Sequence, residues 1–251
     1  MILPVLPDSV LVSDQTALEC CVAQCLVADA IAVDTEFLRT DTFYPLLGLI
    51  QISDGETVWL IDPLALNDLG RLRTLFLDER VVKVFHSCSE DLEVLRCAMD
   101  VVPQPLLDTQ IAAAFVGYGF SLGYSALVSA TMGIELDKHE TRSDWLQRPL
   151  SSAQLRYAAE DVFFLIMAYR TLVTSLEETG RSSWVEEEMN ELVKQASFPE
   201  TPENYYLRVK GAWKLDQADM ALLRKLTCWR EQEARQRDRP RLHKFGRRGW
   251  G

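Results

Sequence analysis

The chain has 251 residues, of which 48% are hydrophobic, and its formal net charge is -11. This length and apolar content suffice for one substantial α/β domain with a small appendage, and they exclude an intrinsically disordered chain. No apolar run is long enough to cross a bilayer, and the first residues lack the basic region of a signal peptide. We therefore expect a cytoplasmic protein with no membrane partner.

The cysteines point to the same compartment. None of the six lies in a C-x-x-C pair, and no histidine stands at zinc-ligand spacing from them. We expect reduced thiols that pack as small hydrophobic side chains, as in a cytoplasmic protein.

The charge is distributed unevenly along the chain. Residues 205–251 hold 13 basic against 5 acidic residues, whereas the preceding 204 residues hold 13 basic against 32 acidic residues. Such asymmetry favours an anionic partner, such as nucleic acid, for the basic part. A charge run is also typical of an ordinary solvated surface, so this observation alone does not select a function.

The first hundred residues alternate strand and helix patterns. Two strands joined by a turn at Gly55, followed by strands separated by helices, indicate a mixed sheet covered by helices. Asp14 and Ser89 are predicted to be N-caps of two of these helices. The predicted strands are 9–13, 30–37, 46–54, 57–62 and 81–86.

The remainder of the chain is predicted to be mainly helical. The polar, aperiodic stretch 136–150 is predicted to be a loop, and 197–206, with two prolines, a linker. A last amphipathic helix follows within 216–238. The predicted domains are therefore 1–196, the linker 197–206, and a helical segment with a basic tail, 207–251.

Two carboxylates stand inside an otherwise apolar strand, "AIAVDTEF". Asp34 and Glu36 are two residues apart, so they project from one face of the strand. A buried pair of like charges is costly unless a cation or a proton neutralises it, and paired carboxylate oxygens suit a hard divalent cation such as magnesium or manganese. In the alternative interpretation, Glu36 lies beyond the strand in solvent and Asp34 caps another element.

Two further stretches carry an acidic residue on a predicted helix. Asp91 follows a buried strand in the first turn of a helix, although this is also ordinary capping chemistry. Ser151 and Gln154 form a capping box that begins a late, largely apolar helix. Tyr157 and Asp161 then lie four residues apart on one face of it, where a purely structural hydrogen bond is the alternative.

Together these motifs resemble a known family. D-x-E on a strand, an Asp at a strand-to-helix junction and Y-x-x-x-D on a late helix resemble the DEDDy branch of the DEDD 3′–5′ exonucleases. The longer stretches "VDTEFLRTDTFYPLLGLIQISDG", "HSCSEDLEVL", "LLDTQIAAAF", "LDKHETRSDWLQRPLS" and "YAAEDVFFL" are similar to bacterial ribonuclease D. The resemblance extends over about 9–178. It implies an α/β fold, a ribonuclease H-like mixed β-sheet flanked by α-helices, here with a C-terminal helical extension.

The resemblance also implies catalytic roles. Asp34, Glu36 and Asp161 would bind one magnesium or manganese ion, Asp34 would bridge to a second, and Asp91 would hold that second ion. Two such ions clamp the attacking and leaving oxygens at phosphorus. Tyr157 would orient the attacking water, because an ordinary tyrosine pKa near 10 disfavours the role of base.

Four further residues are candidates for substrate contacts. Lys138 and Trp145 match a K…DW pattern of the family, in which a cation would meet the scissile phosphate and an aromatic ring the terminal base. Phe37 and His86 flank the acids and are predicted to contact the 3′ nucleotide. The alternatives are that Trp145 packs its loop down and that His86 is a satisfied core histidine. We expect a supporting role for Asp108.

The implied function is a metal-dependent 3′–5′ exoribonuclease that releases nucleoside 5′-monophosphates from RNA 3′ ends, as in tRNA or stable RNA processing. The alternatives are a 3′–5′ exodeoxyribonuclease, as in DNA repair or proofreading, and a non-catalytic RNA-binding scaffold. A monomer is favoured. Ribonuclease D continues into helical HRDC domains, and "LLRKLTCWREQEARQRDRP" resembles only the first helix of one. A single helix cannot bury its apolar face alone, so the segment is predicted to be an incomplete HRDC-like module.

Overall fold

A computed structural model describes residues 5–136, 143–198 and 200–241 of the chain. The chain divides into two compact units. The sheet unit comprises 5–38 and the described part of 46–197, and the tail unit comprises 39–45 and the described part of 198–241. Within these ranges no helix is long and apolar enough to cross a bilayer.

The sheet unit is built on six strands: β1 Ser9–Val12, β2 Ala30–Leu38, β3 Leu46–Ser53, β4 Val58–Ile61, β5 Val82–Phe85 and β6 Leu106–Asp108. They form one mixed sheet in the order β1-β4-β3-β2-β5-β6. β3 pairs antiparallel with β2 and with β4, whereas β1/β4, β2/β5 and β5/β6 are parallel pairs. The mixed sheet predicted from the sequence is therefore confirmed.

Helices cover both faces of the sheet. α6 packs on one face, where its first half meets Ala32, Leu49 and Leu60. The opposite face forms a second apolar core with the earlier helices, through residues such as Ile50 and Leu72. The helices are α1 Gln15–Cys25, α2 Gly70–Phe76, α3 Ser89–Met99, α4 Thr109–Phe115, α5 Tyr124–Met132, α6 Ser152–Thr179 and α7 Ser182–Ser197.

Local signals account for several of these boundaries. The Asp14 carboxylate accepts from the Ala17 backbone N–H at 2.9 Å, which confirms it as the N-cap of α1. Ser151 and Gln154 form the predicted capping box at the start of α6. Gly55 adopts a φ of 96° in the turn between β3 and β4, a conformation that favours glycine.

The predicted cap of α3 is wrong. Ser89 is the first helical residue, and Cys88 occupies the N-cap position without a side-chain capping bond. The turn before it is held instead by Asp108, whose carboxylate accepts from the backbone N–H groups of Ser87 and Cys88. This stabilisation comes from 20 residues away, so the local pattern gave no signal for it.

The tail unit consists of two 3₁₀ helices, Pro202–Arg208 and Ala212–Lys214, and the helix α8, Gln217–Gln236. The first 3₁₀ helix packs against α8. Part of the predicted linker 197–206 is therefore ordered secondary structure, with Pro202 in the first turn, where proline is tolerated.

An ion-paired cluster holds the tail unit together. Glu231 of α8 is fully buried and pairs with Arg230 at 2.9 Å and Arg241 at 2.8 Å. The Asp238 carboxylate accepts from the backbone N–H groups of Phe43 and Tyr44, at 2.9 and 3.0 Å. These bonds explain why the segment 39–45 belongs to this unit, although the sequence placed it in the first predicted domain.

Candidate active site

Three carboxylates converge in the sheet unit. One oxygen each of Asp34, Glu36 and Asp161 can be chosen so that all three lie within 4.8 Å of one another. All three side chains are partly buried. Oxygens at this separation can bind one cation together, and a set made only of carboxylates suits a hard divalent ion.

β2 supplies two of these acids. The strand continues to Leu38, so Glu36 is within the sheet and the alternative that it lies beyond the strand is excluded. Asp34 and Glu36 project from the face that α6 covers, because Ala32, two residues earlier, packs with α6. The strand alternation thus places both carboxylates under the third acid.

α6 supplies Asp161 and its partner. The capping box at Ser151 fixes where the helix begins, which sets Tyr157 and Asp161 on one face, one turn apart. The Tyr157 hydroxyl interacts with the Asp161 carboxylate, which opposes the rise that burial causes in the pKa of that acid. The Tyr157 ring lies 6.2 Å, between centroids, from that of Trp145. The phenol is therefore held at the edge of the acid cluster.

Asp91 stands beside this group and is not one of the three converging acids. Its side chain is buried, and its carboxylate accepts a 2.5 Å hydrogen bond from the Thr35 hydroxyl. Asp34 and Asp91 still repel one another electrostatically. Thr35 lies between Asp34 and Glu36 on β2, so this strand positions Asp91 as well as its own two carboxylates.

Asp108 has the supporting role expected for it. It is buried, and its carboxylate accepts from the backbone of Ser87, Cys88 and Gln110 at 2.8 to 3.0 Å. Ser87 has a φ of 59°, which is unfavourable for a residue other than glycine. Asp108 stabilises this turn, and the turn delivers α3 with Asp91 in its first turn.

Burial raises the pKa of every acid in the site, and repulsion from neighbouring carboxylates adds to this effect. Burial, then the charge of Asp161, raises the pKa of Asp34 to about 8. Burial, then Asp34, raises that of Glu36 to about 10, and burial raises that of Asp161 to about 7. The pKa of Asp91 is also well above its ordinary value, chiefly because of burial. The site therefore favours a proton or a cation over bare negative charge.

The same environment keeps the phenol neutral. Burial and the neighbouring charges of Asp161 and Glu36 raise the pKa of Tyr157 above its ordinary value. A neutral hydroxyl can donate and accept a hydrogen bond at neutral pH, whereas it is a poor base.

Of the other candidate residues, Phe37 follows Glu36 on β2, and His86 comes directly after β5. Phe37 is half-buried and packs partly against the core on the face opposite α6. His86 is half-buried, with its Nδ1 2.9 Å from the Thr109 hydroxyl and its ring 5.6 Å, between centroids, from that of Tyr124. Burial lowers the pKa of His86, which favours a neutral ring.

Trp145 has the packing role that was the alternative for it, and Lys138 lies outside the described residues. The Trp145 side chain is 2% exposed, so it cannot offer a free face to a base in this conformation. A Cβ added at Gly48 would lie 2.6 Å from the Trp145 carbonyl, so β3 and this loop approach as closely as glycine permits. Trp145 instead supports the ring of Tyr157.

Sequence reasoning missed three contacts that build the site. Thr35 occupies the variable position of the D-x-E pattern, and its hydroxyl donates to the Asp91 carboxylate. The Tyr124 hydroxyl donates to the backbone carbonyl of Glu160, next to Asp161. Arg148 binds both Asp62 oxygens, at 2.6 and 2.7 Å, and the Gly48 carbonyl, which ties the loop to the sheet. These are long-range contacts, for which the local sequence pattern carries no direct signal.

Comparison with protein families gives a match over most of the sheet unit. A family model described as 3′–5′ exonuclease matches residues 9–177. Ribonuclease D of Pseudomonas paraeruginosa is 50% identical over 213 residues, which is 85% of this chain and 56% of that protein. The chain thus spans little more than half the length of this relative.

Solved structures agree with the sequence comparison. Escherichia coli RNase D, described as an exoribonuclease involved in structured RNA processing, aligns with a TM-score of 0.86 at 38% identity, over 94% of this chain and 63% of that one. Brucella melitensis NrnC with bound Mg²⁺ aligns with a TM-score of 0.64 at 28% identity, over 82% of this chain and 96% of that one. The α/β fold with a mixed sheet is therefore shared with both proteins.

Proposed function

This chain belongs to the 3′–5′ exonuclease family, and from that membership we propose that it is a metal-dependent 3′–5′ exoribonuclease of the ribonuclease D type. The observation that carries the proposal is the convergence of Asp34, Glu36 and Asp161 within 4.8 Å. A non-catalytic scaffold has no need for three partly buried acids whose pKa values burial and repulsion raise.

The donor set fits divalent cations. Carboxylate oxygens without histidine or cysteine ligands favour Mg²⁺ or Mn²⁺ over zinc. We propose that Asp34, Glu36 and Asp161 bind one ion and that Asp91 and Asp34 hold a second. Bound there, the ions would activate a water molecule and neutralise charge at the scissile phosphate.

The protein's own groups then position the reactants. Asp34 and Glu36 are fixed by the sheet, and Asp161 by the capped helix, so the ligands need little rearrangement. The neutral Tyr157 hydroxyl, which lies next to Asp161 in the site, would orient the attacking water. Thr35 keeps Asp91 from turning away from the site.

The substrate contacts remain part of the proposal. Phe37, next to Glu36 on β2, and His86, directly after β5, are proposed to contact the 3′ nucleotide, and Lys138 the phosphate. Trp145 is proposed to act only through Tyr157, because its own side chain is buried.

RNA is the proposed substrate, with structured RNA such as tRNA precursors as the physiological class. The likeness to Escherichia coli RNase D, described as an exoribonuclease of structured RNA, supports this choice. The basic residues of 205–251 would supply backbone attraction that the acidic remainder of the chain lacks.

The test compares matched RNA and DNA strands labelled at the 5′ end. The proposal predicts a ladder that shortens from the 3′ end, faster for RNA than for DNA, and no cleavage when the 3′ end is blocked or EDTA is present. Faster cleavage of DNA would contradict RNA as the substrate and favour an exodeoxyribonuclease. Binding of RNA without cleavage in any divalent metal would favour the scaffold.

A further inference from the structure

Gln51 lies in the middle of the sheet, next to the acid cluster. It is on β3, its side chain is 0% exposed, and it stands directly opposite Asp34 in the antiparallel register of β2 and β3. Residues directly opposite in such a pair project from the same face, with their Cβ atoms about 4.5–5.5 Å apart. The two side chains are therefore neighbours on the face that α6 covers.

The carboxamide of Gln51 has unusual surroundings. Both its Nε2 and its Oε1 are buried, and neither has a hydrogen-bond partner among the described residues. Leaving buried polar atoms unpaired costs stability, and an apolar side chain of the same length would avoid that cost. Packing alone therefore gives no reason for an amide at this position.

The neighbours of Gln51 on its own face narrow the choice of partner. Leu49 precedes it on that face, and Leu60 is its opposite residue on β4. Ser53, the next residue on that face, is already engaged, because its hydroxyl donates to the Thr57 carbonyl and accepts from Gly55. Asp34 is the polar side chain that stands in register with the amide.

We propose that Gln51 is a positioning residue for Asp34, donating a hydrogen bond from Nε2 to the Asp34 carboxylate when that group is ionised and binds a divalent cation. The inference rests on the metal site of the proposed function. Carboxylate ligands of metals are commonly oriented by such a neighbouring donor. A neutral amide suits this task, because it fixes the carboxylate without adding a positive charge that would compete with the cation.

The test replaces the amide while keeping the length of the side chain. Gln51→Met is compared with Leu60→Met, a matched control on the adjacent strand, at a position equally buried and on the same face. Three quantities are measured on the full chain: the melting temperature in EDTA, the Mn²⁺ affinity by calorimetry, and the Mg²⁺ concentration that gives half-maximal RNA cleavage.

If Gln51 is a positioning residue, its replacement weakens metal binding without lowering the melting temperature in EDTA. In Gln51→Met we expect the melting temperature in EDTA to be unchanged or higher, because two unpaired polar atoms are removed. We expect the Mn²⁺ affinity to fall about tenfold, and the Mg²⁺ requirement to rise correspondingly. Cleavage at saturating Mg²⁺ would approach the wild-type rate.

Three outcomes bear against the account. A lower melting temperature in EDTA with unchanged Mn²⁺ affinity would overturn the inference, because Gln51 would then be merely structural. An equal loss of affinity in Leu60→Met would overturn it too, since the effect would be one of general packing. Failure of the wild-type protein to bind Mn²⁺ would instead overturn the proposed function, so the two failures are distinguishable.

Discussion

Thr35 and Asp91 are 56 residues apart in the chain and are joined by a 2.5 Å hydrogen bond from the Thr35 hydroxyl to the Asp91 carboxylate. This bond favours the ionised form of Asp91 and so opposes the effect of burial on its pKa. It also fixes the direction of the Asp91 side chain relative to β2, the strand that carries Asp34 and Glu36.

We therefore expect Thr35→Val, which keeps the shape and removes the hydroxyl, to raise the pKa of Asp91 further. The Mg²⁺ concentration for half-maximal RNA cleavage should rise about tenfold, as for other groups that orient metal ligands. Titration of the cleavage rate with Mg²⁺ measures this. Thr171→Val on α6, where the hydroxyl bonds to the Met167 carbonyl of its own helix, is the control and should match wild type.

The raised pKa values predict how stability depends on pH without metal. Asp34 and Asp161, with pKa values of about 8 and about 7 when folded, retain protons that the unfolded chain, with an ordinary value of 3.8, has released. The folded state thus binds more protons above about pH 4, and the free energy of unfolding falls as pH rises towards 8. Melting temperatures in EDTA between pH 5 and 8 should fall accordingly, and Mg²⁺ should restore them at pH 8.

Asp34→Asn should remove part of that pH dependence. In EDTA at pH 8 we expect this variant to melt roughly 2–4 °C above wild type, about the shift for each kcal/mol in a chain of this size, because one repelling charge is gone. Mg²⁺ should no longer stabilise it. Glu19→Gln, an exposed change on α1, serves as control. A variant that is less stable than wild type under these conditions would argue against mutual repulsion in the site.

Tyr157→Phe should separate chemistry from folding. The ring keeps its packing against Trp145 while the hydroxyl that interacts with Asp161 is lost. We expect kcat to fall about 100-fold, in the range for a group that positions or transfers a proton, with the melting temperature nearly unchanged. Tyr169→Phe, three turns later on the same helix, should leave kcat unchanged. Equal kcat values for both variants would remove Tyr157 from the mechanism.

Glu231 should dominate the stability of the tail unit. It is fully buried, and its partners Arg230 and Arg241 are each 34% exposed, so Glu231→Ala removes two charged hydrogen-bonded pairs and should cost that unit about 1.5–3 kcal/mol. Amide hydrogen exchange in α8 would report this loss, while exchange in the first half of α6 should stay slow. Glu233→Ala breaks the more exposed pair with Arg237 and should cost only about 0.3–0.5 kcal/mol.

Local sequence rules predicted the parts of the fold and site that depend on local geometry. Strand alternation placed Asp34 and Glu36 on one face, and the Ser151–Gln154 capping box set the start of α6 and hence the face of Asp161. These local rules did not predict the long-range contacts that complete the fold and the site. The start of α3 is stabilised by Asp108 rather than by Ser89, because the buried Asp108 carboxylate on β6 accepts from two backbone N–H groups there.

The tail unit is the clearest case of a long-range determinant. Asp238 binds the backbone of Phe43, 195 residues earlier, and this pairing moves 39–45 out of the domain to which its sequence position assigns it. Likewise, the aromatic character of Trp145 suggested a surface for a base, whereas its side chain is buried in the apolar core beneath α6. The sequence shows that Trp145 carries an aromatic ring, and only the packing shows that this ring is buried.

The most direct measurement of the central claim is release of nucleoside 5′-monophosphate from an RNA labelled in its last nucleotide, for wild type and Asp34→Asn with Mg²⁺ or EDTA. The account predicts labelled monophosphate as the first product of wild type with Mg²⁺, and none in EDTA or from Asp34→Asn. Equal release by the two proteins, or release in EDTA, would contradict an active site built on these carboxylates.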